Sequence, residues 1–428
     1  MANIYPVHLD MYKLLIALSE ATDLVSPALA NHHKQVSYIA YRIGQALGLD
    51  DDDLRDLAIA GALHDIGGLS LASRLETLDF EMGEAEHHSV SGAILLAMFK
   101  PFIRLSEIIR FHHVYWKNGA GKVYNNESVP YLAHILHLAD RIAVLINQKT
   151  EILQQIKSIA AKINENKGRM FNPEMADAFQ ELAIKESFWF DAATPQKCPM
   201  FAEKSIFGTS EMAEQDLLDL TSVFCRIIDF RSRFTATHSS GVSAVAKILA
   251  ATAGLDGSDC KQMQLAGLLH DLGKLVVPQE ILEKETPLSS NDYEVIRQHP
   301  YYSQRILKTV PGFDNICIWS AYHHERLDGS GYPFHLKGDE IPLGARILSV
   351  ADTFTALTEE RPYRKGTSSR GTLKFLDTQV IDNKLDGDIV SLLSKDIDSF
   401  HSAREKAQSE SYNRHTLFVE EIRKESEN

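Results

Sequence analysis

What most narrows the folds open to this 428-residue chain is an internal repeat. Two phrases, "GALHDIGGL" (61–69) and "GLLHDLGKL" (267–275), set a histidine–aspartate pair inside an apolar run. Each of those histidines follows an earlier one by 32 residues, His32 to His64 and His238 to His270, and each earlier one has a valine four residues on. The order then continues in step. "EHHSVSGAIL" (86–95) answers "QHPYYSQRIL" (298–307), and "FHH" (111–113) answers "YHH" (322–324). "HLADRIAVL" (137–145) answers "SVADTFTAL" (349–357), and "MFNPEMADAF" (170–179) answers "KLDGDIVSLL" (384–393). Self-similarity over such a length means two copies of one domain.

Both copies read as helix. Val36, Ile39, Ala40 and Ile43 share one face at helical spacing, as do Val242, Val245, Ala246 and Leu249. Gly48 and Gly254 sit where helices end on glycine. No sustained alternation marks a strand. The expected fold is all-α, two helical bundles in tandem. The first copy is expected over 1–192 and the second over 211–428. A linker is expected over 193–210, where prolines interrupt any periodicity. The charged stretch after about 400 reads as a further helix of little chemical content.

Bulk properties bear on partners and compartment. The net charge of −14 makes the chain a poor general binder of DNA or RNA. A phosphate-bearing ligand would need local positive charge, from ions or a few cations. No apolar run reaches the roughly 18 residues of a membrane span, and the N-terminus lacks the pattern of a signal peptide. The four cysteines form no CxxC pair, which fits a reducing cytoplasm.

The repeated polar residues of the second copy are His238, His270, Asp271, His299, His323, His324 and Asp352. Five imidazoles and two carboxylates in apolar helical surroundings are a metal-ligand set. One histidine on an apolar face is usually a satisfied core residue, but seven ligand types recurring in two copies are not chance. The set exceeds the needs of one tetrahedral ion and suits two, with Asp271 as bridge. Nitrogen and oxygen ligands favour iron or manganese, with nickel, cobalt or magnesium behind them. Two such ions about 3.5–4 Å apart generate hydroxide near neutral pH and clamp a phosphoryl oxygen, so phosphoester hydrolysis is expected. Lys274, three residues past Asp271, and Arg361 and Arg364 in "RPYRKG" are the candidate phosphate handles. The glycines of "HHERLDGSGYP" (323–333) would let the backbone turn tightly beside a charged ligand.

These residues resemble the HD-GYP domain, the helical subclass of the HD phosphohydrolases that opens cyclic dinucleotides. The resemblance rests on "THSSGV", "LLHDLGKL", "QHP", "HHERLDGSGYP", "ADTFTALT" and "RPYRKG", across about 230–370. It implies that His238, His270, Asp271 and Asp352 bind one ion, and that Asp271, His299, His323 and His324 bind the other. It makes Asp271 and Lys274 catalytic. It gives Lys274, Arg361 and Arg364 the phosphates, and Gly331, Tyr332 and Pro333 the mouth of the site. Family members with a third metal carry a glutamate where this chain has Phe234, so two ions are implied. The first copy keeps His32, His64, Asp65, His87, His112, His113 and Asp140, a candidate second metal centre. It has Gly68 at the lysine position and no GYP turn, which reads as a degenerate half with a regulatory or structural role.

The tandem arrangement resembles the Vibrio-type phosphodiesterases of 3′3′-cGAMP. It implies hydrolysis of a 3′3′-cyclic dinucleotide to a linear 5′-phosphorylated product through a hydroxide bridging two ions, with 3′3′-cGAMP as the expected substrate. The motifs equally allow cyclic di-GMP, and a non-catalytic cyclic-dinucleotide receptor is the reading from another class. Helical domains of this kind often pair, and a homodimer is one option the sequence leaves open.

Overall fold

The structure, a computed structural model, describes residues 31–68, 86–195, 237–282, 286–308, 312–360 and 365–426, with isolated positions between these stretches. The segment read as linker, 193–210, lies largely outside the described residues, and Phe234, Arg361 and Arg364 lie wholly outside them. The chain divides into two compact units, one of 10–211 with 421–428 and one of 212–420 with 1–9. Both are helical. Strand pairing among the described residues is confined to two two-stranded pieces of two or three residues per strand. No helix among them is long and apolar enough to cross a membrane.

Each unit is built on the same trio of helices. In the N-terminal unit His32–Ala46 packs against Asp51–Leu63 and Tyr131–Leu145. In the C-terminal unit His238–Thr252 packs against Gly257–Leu269 and Leu343–Thr358. The apolar stripes face inward: Val36, Ile39, Ala40 and Ile43 are fully buried, and so are Val242, Val245, Ala246 and Leu249. Each buried aliphatic side chain contributes about 1.5–3 kcal/mol over an exposed one.

The turn into the second helix is the same in both units. Gly48 and Gly254 adopt φ of +72° and +90°, the left-handed geometry that glycine accepts without a Cβ clash. Asp50 and Asp256 then cap the next helix, accepting from the backbone N–H of Asp53 and Asp259. Close approach of the two helices has a second glycine behind it. A Cβ on Gly61 would lie 2.6 Å from the Ser37 Cα, and one on Gly267 would lie 2.6 Å from the Ser243 Cα. The serines exploit that contact: Ser37 Oγ donates to the Ala58 carbonyl and Ser243 Oγ to the Gln264 carbonyl, each at 2.7 Å.

Candidate metal centres

Helix ends supply the ligands. The last carbonyls of a helix have no partner within it. In the C-terminal unit, histidines placed just after helix ends use their rings to satisfy such carbonyls. His270 Nδ1 contacts the Gly267 carbonyl at 2.8 Å, His299 Nδ1 that of Ile296 at 2.8 Å, and His323 Nδ1 that of Ser320 at 2.6 Å. A carbonyl only accepts, so Nδ1 carries the hydrogen and the Nε2 lone pair is left to face a metal. One arrangement thus caps three helices and fixes three ligand tautomers.

The Nε2 atoms turn toward the two carboxylates. His238 Nε2 lies 3.1 Å from Asp352 Oδ1. His270 Nε2 lies 3.3 Å from Asp271 Oδ2, and His299 Nε2 lies 3.3 Å from Asp271 Oδ1. His323 Nε2 is 3.5 Å from His299 Nε2, and His324 Nδ1 is 3.9 Å from Asp352 Oδ2. The seven residues form three overlapping groups able to hold metal ions: His238–His270–Asp352, His270–Asp271–His323 and His299–His323–His324. Asp271 offers one oxygen to each side. All seven expected ligands of this unit therefore meet in one place.

Electrostatics suit ligation. Burial, with repulsion from His270 and His299, pushes His323 down to about 3. Burial also lowers His299 to about 4, an effect Asp271 only partly offsets. Both rings are neutral and can donate a lone pair near pH 7. Burial alone would raise Asp271, but His270 and Lys274 outweigh it and hold the carboxyl well below its usual range. Asp352 is likewise held down by His238 against the effect of burial. Asp271 is buried and Asp352 14% exposed; carboxylates that stay ionised there favour positive charge beside them, which a metal ion would add to that of Lys274.

Lys274, in the turn of 3-10 helix Leu272–Val276, reaches Asp271 Oδ2 at 2.6 Å and remains a fifth exposed. Gly273 allows Ser303 to close the floor: the Gly273 N–H donates to Ser303 Oγ, which donates to the His270 carbonyl, both at 2.8 Å. The Gly331-Tyr332-Pro333 turn folds back on the paired histidines. A Cβ on Gly331 would collide with the backbone of Glu325 and Arg326. The Tyr332 ring lies 4.9 Å from the His324 ring, with the Arg297 guanidinium 4.8 Å from its centre.

Three participants escaped the sequence reading. Glu359, buried seven residues after Asp352, holds His238 Nδ1 at 3.0 Å and accepts from Gln408 at 3.3 Å. It outweighs burial, with help from Asp352, and raises His238 to about 10. Glu325, also buried, accepts the backbone N–H of Phe334 at 2.7 Å and of Leu336 at 3.0 Å, so it clasps the turn. Arg326 donates to Ser349 Oγ at 2.9 Å beneath Asp352. The run "TEERPYR" offered a carboxylate near the last ligand, but nothing in spacing paired it with a histidine 121 residues away.

The N-terminal unit assembles a parallel set with one change. His64, Asp65, His112, His113, His32 and Asp140 converge, but the histidine of the "EHH" doublet that joins them is His88, where His87 was expected. The His87 side chain lies outside the described residues. Glycine contacts fix the correspondence: a Cβ at Gly67 would strike the His88 carbonyl just as one at Gly273 would strike that of His299. The groups are Asp65–His88–His112–His113 and His32–His64–Asp140. Gly68 leaves no counterpart of Lys274, and Asn147 stands at the place of Glu359.

Residues 29–145 and residues 222–389 each match a family model described as HD domain. Over 407 residues the chain is 27% identical to 3′3′-cGAMP-specific phosphodiesterase 1 of Vibrio cholerae, covering 92% of this chain and 93% of that protein. A cyclic di-GMP phosphodiesterase response regulator of Xanthomonas campestris is 33% identical over 182 residues, 41% of this chain and 47% of its own length. A solved structure of a cyclic GMP-AMP specific phosphodiesterase of V. cholerae superposes with a TM-score of 0.64 over 91% of this chain and 98% of that one. At 21% identity that likeness speaks for the fold.

Proposed function

We propose that this chain, which carries two HD domains in tandem, is a metal-dependent phosphodiesterase that opens a 3′3′-cyclic dinucleotide, 3′3′-cGAMP above others, to a linear 5′-phosphorylated dinucleotide. The observation that carries the reading is the convergence of five imidazoles and two aspartates in the C-terminal domain, with three rings fixed by helix-end carbonyls. Full-length similarity to the Vibrio cGAMP phosphodiesterase supports the substrate.

The C-terminal domain is of the HD-GYP kind in this reading, and the ions are two. His238, His270, Asp271 and Asp352 would hold one, and Asp271, His299, His323 and His324 the other, with iron or manganese fitting the donor set. When bound, such a pair acidifies water and draws charge from phosphoryl oxygens. The chain's own residues do the rest. Asp271 spans the two positions. Glu359 fixes the His238 ring through Nδ1. Lys274 is the partly exposed cation beside Asp271, placed to neutralise a non-bridging phosphate oxygen. Arg361 and Arg364 are assigned to the same phosphates on the "RPYRKG" motif. The clasp of Glu325 holds Tyr332 over His324, giving the dinucleotide a rigid wall at the mouth.

Cyclic di-GMP is the second reading, favoured by 33% identity to the Xanthomonas phosphodiesterase over 182 residues. One measurement separates them. Manganese- or iron-loaded protein is given cyclic GMP-AMP, cyclic di-GMP and cyclic di-AMP side by side. Higher kcat/KM for cyclic GMP-AMP, with linear product, is expected. Higher kcat/KM for cyclic di-GMP moves the assignment, and metal-loaded protein that cleaves none of the three is a receptor.

A further inference from the structure

The charged stretch after residue 400 belongs to helix Ile397–Ser426, and one face of it is engaged with the C-terminal domain. Phe400, Arg404 and Gln408 recur every four residues and so share that face. Phe400 is 2% exposed and Arg404 6%, a depth an arginine reaches only with partners. Beside them the His401 ring meets the Phe354 ring edge-on, 5.0 Å between centres. Phe354 lies two residues past Asp352.

Gln408 reaches the metal centre through one intermediary. Its Nε2 donates to Glu359 Oε2 at 3.3 Å, the same oxygen that lies 3.0 Å from His238 Nδ1. Arg404 Nη1 donates to Gln408 Oε1. A guanidinium has no acceptor, so it takes the amide oxygen and leaves the amide N–H groups for the carboxylate. Space for that amide comes from Gly241, three residues after His238 in the same helix. A Cβ on Gly241 would lie 3.1 Å from the Gln408 side chain. The contacts thus run Arg404–Gln408–Glu359–His238, and His238 Nε2 meets Asp352 at the end of the line.

We infer that Gln408, held by Arg404, is a positioning residue for the ligand His238, so that docking of the C-terminal helix and metal binding by the C-terminal domain favour one another. The inference rests on the metal centre proposed above and adds an element to it. Glu359 keeps further contacts, so loss of Gln408 loosens the carboxylate without releasing it. Coupling of this kind is reciprocal: whatever the helix does for the ion, the ion does for the helix.

Chelator competition for Mn2+ on the full-length chain tests it, read as the change from wild type. Gln408→Leu, similar in size but unable to donate, is expected to weaken binding by about tenfold, the low end for outer-shell partners of a ligand histidine. Gly241→Val, which displaces Gln408 without altering a ligand, should act in the same direction. In a Glu359→Ala background, where the line is already cut, Gln408→Leu should change nothing further. Wild-type affinity in Gln408→Leu, or a full effect of it in the Glu359→Ala background, overturns the inference. Should a variant fail to fold, hydrogen exchange of the wild-type protein decides. Amides over 400–410 are expected to gain protection when chelator-treated protein is loaded with Mn2+, and equal exchange with and without the ion overturns the coupling. Wild type that binds no Mn2+ sinks the centre and the coupling together. Absence of cyclic-dinucleotide turnover would sink the proposed activity and leave the coupling standing.

Discussion

A ligand histidine needs a defined tautomer, and here the backbone provides it. His270, His299 and His323 each spend Nδ1 on a carbonyl three residues back, which removes any dependence on a distant side chain. His238 opens a helix, where no orphan carbonyl lies behind it, and relies on Glu359 instead. Glu359→Gln should therefore weaken metal binding by about 10–100-fold, read by chelator competition, while the fold persists by circular dichroism. Asp271→Asn keeps shape and removes the charge that the proposed centre would share between two ions. Turnover should fall by at least ~10³-fold, as expected for loss of a mechanistic unit, together with loss of bound metal. Lys274→Ala should separate the two effects. Its metal content should be retained, and kcat should drop by ~10²-fold, the scale of losing one charge-stabilising donor. Equal loss of metal in Lys274→Ala would show that the lysine supports Asp271 and not the phosphate.

At the scale of elements, the decisive contacts are glycine against serine. Gly61 and Gly267 let the second helix of each domain touch the first at Ser37 and Ser243, and the histidine–aspartate pair emerges three residues beyond each glycine. Gly267→Ala forces backbone apart at that contact. It should destabilise the C-terminal domain by about 1–3 kcal/mol, the usual cost of overpacking, measured by thermal unfolding. Because the contact sets where His270 and Asp271 emerge, metal affinity should fall in the same variant. Undiminished stability would mean that the helices can separate freely there. The caps carry less: Asp256→Ala removes the acceptor for the Asp259 N–H and should cost about 1 kcal/mol.

For the whole molecule, the proposed C-terminal centre would couple metal to stability. In the C-terminal domain, removal of the proposed ions would leave Asp271 and Asp352 ionised, with Lys274, Arg326 and imidazoles beside them among the described residues. Dialysis against chelator should lower Tm, and added manganese should restore it. A ligand present at 100 times its Kd stabilises by about 2.7 kcal/mol, a shift calorimetry resolves. A chelated sample melting with the holoprotein would mean that the ions do not contribute to the fold.

Much of this was legible in the residues. The helical stripes at Val36 and Val242 and the closing glycines 48 and 254 follow from local pattern, because helix period and cap chemistry act over a few residues, and the repeat picked out the seven residues that gather in the second copy. The doublet at 87–88 shows the limit. Neighbours on a helix point about 100° apart, and spacing alone could not tell which one turns inward. The close approach of Gly67 to the His88 carbonyl decided it. Glu359 and Glu325 were invisible for a related reason: a charged residue next to a motif looks the same whether it is solvated or buried within the site. The sequence by itself determined two helical domains and, apart from the doublet at 87–88, which histidines and aspartates gather, since repeat and periodicity are written along the chain. Only the tertiary structure decided which imidazole enters and which carboxylate orients it, because those choices depend on packing between separate segments, from Gly67 against His88 to His238 against Glu359.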